Sequence, residues 1–360
     1  MNPNVGLDSA YRQTLADLRG HGQLVPAVQD PTSITTGFGA KAKNFYELRG
    51  YTFSIANPRQ RLVSGEGRKA SEQFCVANFL WMLFGRDDHE FIGHYNQKGA
   101  ALAEVDGHYP GAHGRRIGNQ LFRVIDELRA EHSSRRAVLQ VSREEDLFSH
   151  SRDIPCVIAI QLFRRPVTLL HTNGTASNAL HNEALDMVVH MRSQNAVFVM
   201  PYDIYAFTMF QEFIASALGI QVGTYHHQVG SLHFFEGEEG VVDTILNERP
   251  PQAEFMTTMP AFTSPSGPRQ LIHALEVGEK QVRDLGPFST DSSFLPTYWI
   301  NLLNKLWIPQ TNSVGIDIAA LSKAGQGHSY GIHNRHLMDQ DPERVEIGAA
   351  EVGRVEDVLG

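Results

Sequence analysis

Cysteine is scarce: Cys75 and Cys156 are the only two in 360 residues. Two thiols make no disulfide framework, so a reduced, cytoplasmic protein is expected. Positive charge is also short. Lys and Arg number 31 against 40 Asp and Glu, a formal net charge of -9. That excludes the basic footprint of a nucleic-acid binder. No apolar run reaches about 18 residues, so no membrane partner is expected. The opening stretch MNPNVGLDSAYRQTLADLRG lacks an apolar core flanked by basic residues, so no signal peptide is expected. Internal repeats are absent. His226 and His227 are adjacent, and neighbours on a strand face opposite ways. No third ligand has usable spacing, so no metal site is expected.

What is present suits a large core, with 42% hydrophobic and 20% charged residues. Residues 8–20 have the pattern of a short amphipathic helix. Residues 24–44 are rich in turn formers and predict a loop with short strands. YTFSI (51–55) alternates like a strand. KASEQFCVANFLWMLFG, from Lys69, sets Phe74, Asn78, Trp81, Met82 and Gly85 on one helical face, with Gly85 as the stop. Residues 119–132 predict a second helix with Leu121, Ile125 and Leu128 on its buried side. PCVIAIQLFR (155–164), LDMVVHMRS (185–193) and TYHHQVGSLHFF (224–235) predict strands. DIYAFTMFQEFIASALGI, from Asp203, predicts a helix ending at Gly219. Helices are also expected around 268–285 and 294–306. The pattern is α+β, a large mixed sheet packed with helices. The division expected is a unit over 1–250 and a C-terminal helical extension over 251–360.

Several residues admit more than one reading. Cys156 after Pro155 is either a small core hydrophobe or a nucleophile, and a nucleophile needs a neighbouring positive charge to hold the thiolate. Arg192 supplies that charge if HMRS lies beside PC. Arg135 and Arg136 form either a solvated turn or a phosphate clamp, since guanidinium forks match phosphate oxygens. His233 is either structural or functional. Asp203 is either a helix N-cap or a ligand-reading group. In MRSQNAVFVMPYDIYAF (191–207), Arg192, Ser193, Asn195 and Asp203 give an otherwise apolar passage the groups to hold a phosphorylated, hydrogen-bonding ligand.

In order, Cys156 after proline, MRSQNAVF, Asp203 and VGSLHFF resemble the thymidylate synthase family, and most closely its pyrimidine nucleotide (dCMP/CMP) hydroxymethylase branch. Upstream, FLWMLFG resembles the family's Leu-Trp helix and SSRR its twin-arginine turn. The resemblance spans roughly residues 70–236. It implies a thymidylate synthase-like fold with a sheet-mediated homodimer. It implies a pyrimidine nucleoside monophosphate substrate and 5,10-methylenetetrahydrofolate as one-carbon donor. Cys156 would add to C6 of the ring and make C5 nucleophilic. Arg192 and Ser193 would bind the 5′-phosphate. Arg135 and Arg136 would reach the partner subunit's nucleotide, and His233 would hold a sugar hydroxyl. Trp81, Asn195 and Val199 fall on the folate side. Asp203 stands where thymidylate synthases have asparagine. A carboxyl group there accepts from cytosine N4 and, when protonated, donates to N3, which favours cytosine over uracil.

Four departures accompany the likeness. Asn78 occupies the position of the family's general-acid glutamate, and an amide does not relay protons as a carboxylate does. Asn195 replaces an aspartate, Val199 a glycine, and Phe235 a tyrosine that shares the sugar hydroxyl. Lys41, Lys43 and Arg49 are the candidates for an N-terminal phosphate loop. Hydroxymethylation of CMP or dCMP is the leading expectation. The alternatives are different C5 chemistry, by methylation or without folate, and an inactive nucleotide-binding protein.

Overall fold

A computed structural model describes residues 6–26, 43–97, 103–151, 153–167, 183–250, 256–289 and 295–307. Lys41 and residues 308–360 lie outside them. The strands β1 (Gln23–Val25), β2 (Phe45–Ile55), β3 (Val138–Gln140), β4 (Val157–Pro166), β5 (Glu183–Asn195) and β6 (Gln221–Phe235) form one sheet in the order β1-β2-β6-β5-β4-β3. β5 and β6 are parallel; every other pairing is antiparallel. A parallel pair needs a crossover, and α5 (Met200–Leu218) supplies it. The sheet is therefore mixed, as its long apolar strands lead one to expect.

Along β5, Leu185, Met187, Val189 and Met191 are buried, while Asp186, Val188 and His190 are half-buried and Arg192 is exposed. This period of two puts one face of the sheet in the core. α5 covers that core and is buried over almost its whole length. α2 (Glu72–Leu83) packs on α5 and on α4 (His113–Ala130). α1 (Leu7–His21) lies on β2, burying Leu7, Tyr11, Leu15 and Leu18 at helical spacing. The helix expected at 119–132 starts earlier, at His113. Its first turn touches α2 closely: a Cβ on Gly114 would come within 2.7 Å of the Met82 carbonyl oxygen. Glycine and polar residues in that turn hide the periodicity. Two short helices, α3 (His89–Tyr95) and α6 (Glu239–Asn247), were not expected. α6 buries only Val242 and Ile245, too few to show a period in sequence.

α7 (Gly267–Leu285) and α8 (Thr297–Asn304) form where C-terminal helices are expected. They are not detached. Leu275, Val282, Trp299, Ile300 and Leu303 belong to the same core cluster as the sheet and α5.

One buried arginine ties the loops around the end of β4. Arg116, on α4, donates to the Pro110 and Val141 carbonyls and forks onto both oxygens of Asp146 at 2.6 and 2.7 Å. Both partners of this pair are at most 9% exposed. Removing one member strands a buried charge. Arg116→Ala is expected to lower unfolding stability by about 3–5 kcal/mol. Arg116→Lys should recover only part of the loss, since lysine lacks the planar fork. Urea titration of the two variants measures this; equal stability of wild type and Arg116→Ala would contradict it.

Candidate active site

Cys156 lies immediately before β4, and β4 pairs with the end of β5 through Val157 and Met191. The conditional adjacency of PC and HMRS is therefore met. The Arg192 backbone N–H donates to the Cys156 carbonyl at 2.8 Å. Its side chain donates from Nε to the Pro155 carbonyl at 2.9 Å and from Nη2 to the Ile154 carbonyl at 3.0 Å. Arg192 thus fixes the loop that carries the thiol. Burial pushes the Cys156 thiol up, Arg192 pulls it down, and the Asp203 and Asp153 carboxyls push it up further. The other cysteine, Cys75, is buried in α2 and raised far more by desolvation, so it is the inert one.

Asp203 is not the cap of α5. The helix begins at Met200, and Asp203 sits at the end of its first turn with its N–H on the Val199 carbonyl. Its side chain turns back to β5, where Gln194 Nε2 donates to Oδ2 at 2.9 Å. Burial raises Asp203 to about 6, and the Gln194 bond only partly offsets this. The carboxyl therefore keeps its proton up to about pH 6, well above the ordinary carboxylate range. Gln194 was not singled out in the sequence: its amide looks like any polar strand residue until the crossover brings Asp203 onto it.

Across β5, Ser193 pairs in register with Ser231 and Asn195 with His233. His233 lies between the rings of Phe45 and Phe235, and its Nδ1 is buried without a hydrogen-bond partner among the described residues. Burial lowers its pKa, so the ring is neutral at neutral pH. Asn195 donates from Nδ2 to Glu238 Oε2 at 3.2 Å, and its Oδ1 accepts the Phe198 N–H at 2.8 Å. Glu238 also accepts the Phe235 N–H at 2.9 Å, and burial raises its pKa. It stands beside Asn195 as a second group that sequence reading missed. Phe198 and Val199 follow, 43% and 42% exposed, a small apolar ledge. Lys43 lies near enough to Glu238 to lower its pKa, while exposed Arg49 faces Glu47 at 3.9 Å.

Asn78 and Trp81 lie on the less buried side of α2, together with Phe74. Phe74 meets Tyr202 at 4.9 Å between ring centroids, which sets this face against the start of α5 beside Asp203. The Trp81 indole donates to the Asp88 carbonyl, and its ring meets Tyr109 edge-on at 5.6 Å. Tyr109 shares a hydrogen bond of 2.6 Å with His89 Nδ1. Arg135 and Arg136 stand apart. The β3–β4 register, Val138 opposite Gln161, puts them roughly 25 Å along β4 from Cys156. Both are exposed, and Arg136 pairs with Glu127. Within one chain they do not join the Cys156 cluster. Among the described residues no His, Cys, Asp and Glu group could hold a metal ion, and no helix is long and apolar enough to cross a membrane.

The chain resembles known proteins of one family. The family model described as thymidylate synthase matches residues 74–264. A deoxyuridylate hydroxymethyltransferase of Bacillus phage SP01 is 25% identical over 218 residues, covering 56% of this chain and 53% of that protein. One from Delftia phage PhiW-14 is 27% identical over 218 residues, covering 55% and 56%. The chain thus spans about half the length of these phage relatives. A putative thymidylate synthase of Methanocaldococcus jannaschii is 26% identical over 229 residues, covering 59% of this chain and 85% of that protein. Thermostable thymidylate synthase A from Bacillus subtilis superposes with a TM-score of 0.55 at 16% identity, covering 69% of this chain and 87% of that one. The fold is the thymidylate synthase fold, and the chain belongs to the thymidylate synthase family.

Proposed function

We propose that this protein is a one-carbon transferase that hydroxymethylates C5 of a cytidine monophosphate, CMP or dCMP. The observation that carries the base assignment is Asp203: one carboxyl oxygen held by Gln194, a pKa raised to about 6, and a position beside Cys156. Cytosine offers a donor at N4 and an acceptor at N3. A carboxylic acid satisfies both, and a site that strands a buried polar group rejects the other base strongly. Cys156 adds to C6, and Arg192 with Ser193 holds the phosphate. His233, neutral and set between Phe45 and Phe235, suits a sugar hydroxyl. A second reading has its own support, for two relatives are named for deoxyuridylate.

Methylenetetrahydrofolate would supply the one-carbon unit, and the residues present fit it. Phe198 and Val199 offer an apolar ledge to a flat heterocycle. The Glu238 carboxyl, joined to Asn195, offers an acceptor to its N–H edge. Trp81 would flank it from α2. The catalytic groups all lie within 1–250, and we read α8 with Lys305 and Leu306 after it as a buttress for α2. The half-exposed face of the sheet, with Ile158 42% exposed, would be covered by a second copy. That dimer would carry Arg135 and Arg136 to the partner's phosphate. Mixing inactive Cys156→Ala with an inactive Arg135→Ala/Arg136→Ala double variant is then expected to restore partial activity. Two variants that stay inactive after subunit exchange would refute shared sites.

Mass analysis of products from CMP, dCMP, UMP and dUMP with methylenetetrahydrofolate tests the reaction. A gain of CH2O on a cytosine nucleotide, lost in Cys156→Ala, is expected. A gain of CH2, or modification of uracil alone, would overturn the assignment. Asp203→Asn should move the cytosine-to-uracil ratio of kcat/KM toward uracil by about 100-fold or more; an unchanged ratio sinks the role given to Asp203.

The same carboxyl predicts a stability effect. Its folded-state pKa lies above its ordinary 3.8, so between there and about 6 the folded state binds more protons. Its contribution is therefore most favourable at low pH and is lost as pH rises through that window. Asp203→Asn removes this dependence. The variant should gain stability over wild type at pH 8, by at most about 3 kcal/mol, and the gain should shrink as pH falls from 6 to 4. Chemical denaturation across that range measures it.

A further inference from the structure

We infer that Asp153 is the base that takes the C5 proton, on the Cys156 side of the pyrimidine ring. This rests on the C5 chemistry proposed above and adds a group to it.

Once Cys156 has added to C6 and a one-carbon unit has joined C5, the hydrogen on C5 must leave as a proton. The C5–H electrons form the exocyclic C=C bond. The bond from that carbon to its amine carrier breaks, and its electrons go to the carrier's nitrogen, which takes up a proton. The thiol approaches from the sheet edge, so the one-carbon unit arrives from the opposite face. The C5 hydrogen is then turned toward the thiol, and the base has to stand beside Cys156. Asn78 on α2 cannot act as this base, because an amide does not accept the proton.

Three charged groups act through space on the Cys156 thiol: Arg192, Asp203 and Asp153. Arg192 carries donors and no acceptor for a proton. Asp203 has one oxygen on Gln194 and serves the base edge. Asp153 remains, three residues before Cys156. The carbonyls of the two intervening residues are clasped by the Arg192 side chain. On its other side, the Gly111 N–H donates to Asp153 Oδ2 at 2.7 Å. A Cβ on Gly111 would lie 2.5 Å from the Asp153 carbonyl oxygen and 3.0 Å from Cγ, so only glycine lets this loop close on the aspartate. One carboxyl oxygen is thereby anchored. Burial raises Asp153 above the ordinary carboxylate range, which strengthens it as a base. Tyr109, on the same loop, is pushed up to about 12 by burial and by Asp153 and Asp88. It stays a neutral phenol and does not compete for the proton.

Hydrogen exchange at C5 in deuterated water, without folate, isolates this step. Solvent delivers a deuteron to C5 from the open face, and the original proton leaves to Asp153 before the thiolate departs. Wild type should exchange C5–H of its nucleotide, and Cys156→Ala should not. Asp153→Asn should slow exchange by about 100-fold or more. It should keep nucleotide affinity unchanged and fold at least as stably as wild type, because the amide oxygen still accepts from Gly111 and no buried carboxylate remains. In Asp153→Ser, a smaller side chain, added formate should restore exchange, which a purely structural role would not allow. Asp153→Asn exchanging at the wild-type rate overturns the role of Asp153 and leaves the C5 reading intact. Formate without effect on folded Asp153→Ser also overturns it. Wild type that exchanges no hydrogen with any of the four nucleotides overturns the C5 reading itself, and this role with it.

Discussion

The register of β5 against both of its neighbours is the constraint on which the site depends. On one side, Met191 opposite Val157 brings the Cys156 carbonyl to the Arg192 N–H. On the other, Asn195 opposite His233 and Ser193 opposite Ser231 set the polar row of β6. A slip of one residue would turn Arg192, Gln194 and Asn195 to the wrong faces together. The crossover α5 makes such a slip costly. It is buried along nearly its whole length, and Asp203 on its first turn is bonded to Gln194. The placement of Cys156, Arg192, Ser193 and Asp203 thus follows from the register of β5 against both neighbours and from the helix that leaves it.

That geometry also sets the balance of charge. Cys156 has one cation, Arg192, and two carboxyls in range. With both carboxyls ionised the thiol is held up, and with either protonated the thiolate is easier to form. Burial raises both Asp203 and Asp153 above the ordinary range. With Asp203 at about 6 and the thiol above its ordinary range, the carboxyls lose their protons first and then oppose formation of the thiolate. Coupled groups of this kind titrate as a set.

Much of the frame was legible in sequence because it rests on local pattern. Long apolar strands, the Arg192–Ser193 pair at a strand end and Gly219 at a helix stop all declare themselves within a few residues. What was not legible depends on distance along the chain. Gly111 meets Asp153 across 42 residues, and Asn195 meets Glu238 across 43. Neither Asp153 nor Glu238 carries a local mark of its role. Asp203 shows the limit from the other side. Its neighbours read as a helix start, but Pro201 and Met200 already lie inside the helix, and the side chain is directed by Gln194 on another element. The twin arginines were legible as a motif, yet the register leaves them far from Cys156 in one chain.

The C-terminal helices bear on the site through α2. Gln73 donates to the Leu306 carbonyl, and Lys305 pairs with Glu72, so the first turn of α2 is fastened to the end of α8. Its last turn is fastened by the close approach of Gly114 on α4. Between these two anchors lie Asn78 and Trp81. α2 is apolar around most of its circumference, with Cys75, Val76, Phe79 and Leu80 all buried. Such a helix has no strongly preferred rotation of its own, because nearly every face can be buried. Polar fastening at one end and backbone contact at the other supply the missing orientation. Lys305 and Leu306 at one end and Gly114 at the other thereby hold the face with Asn78 and Trp81 in place.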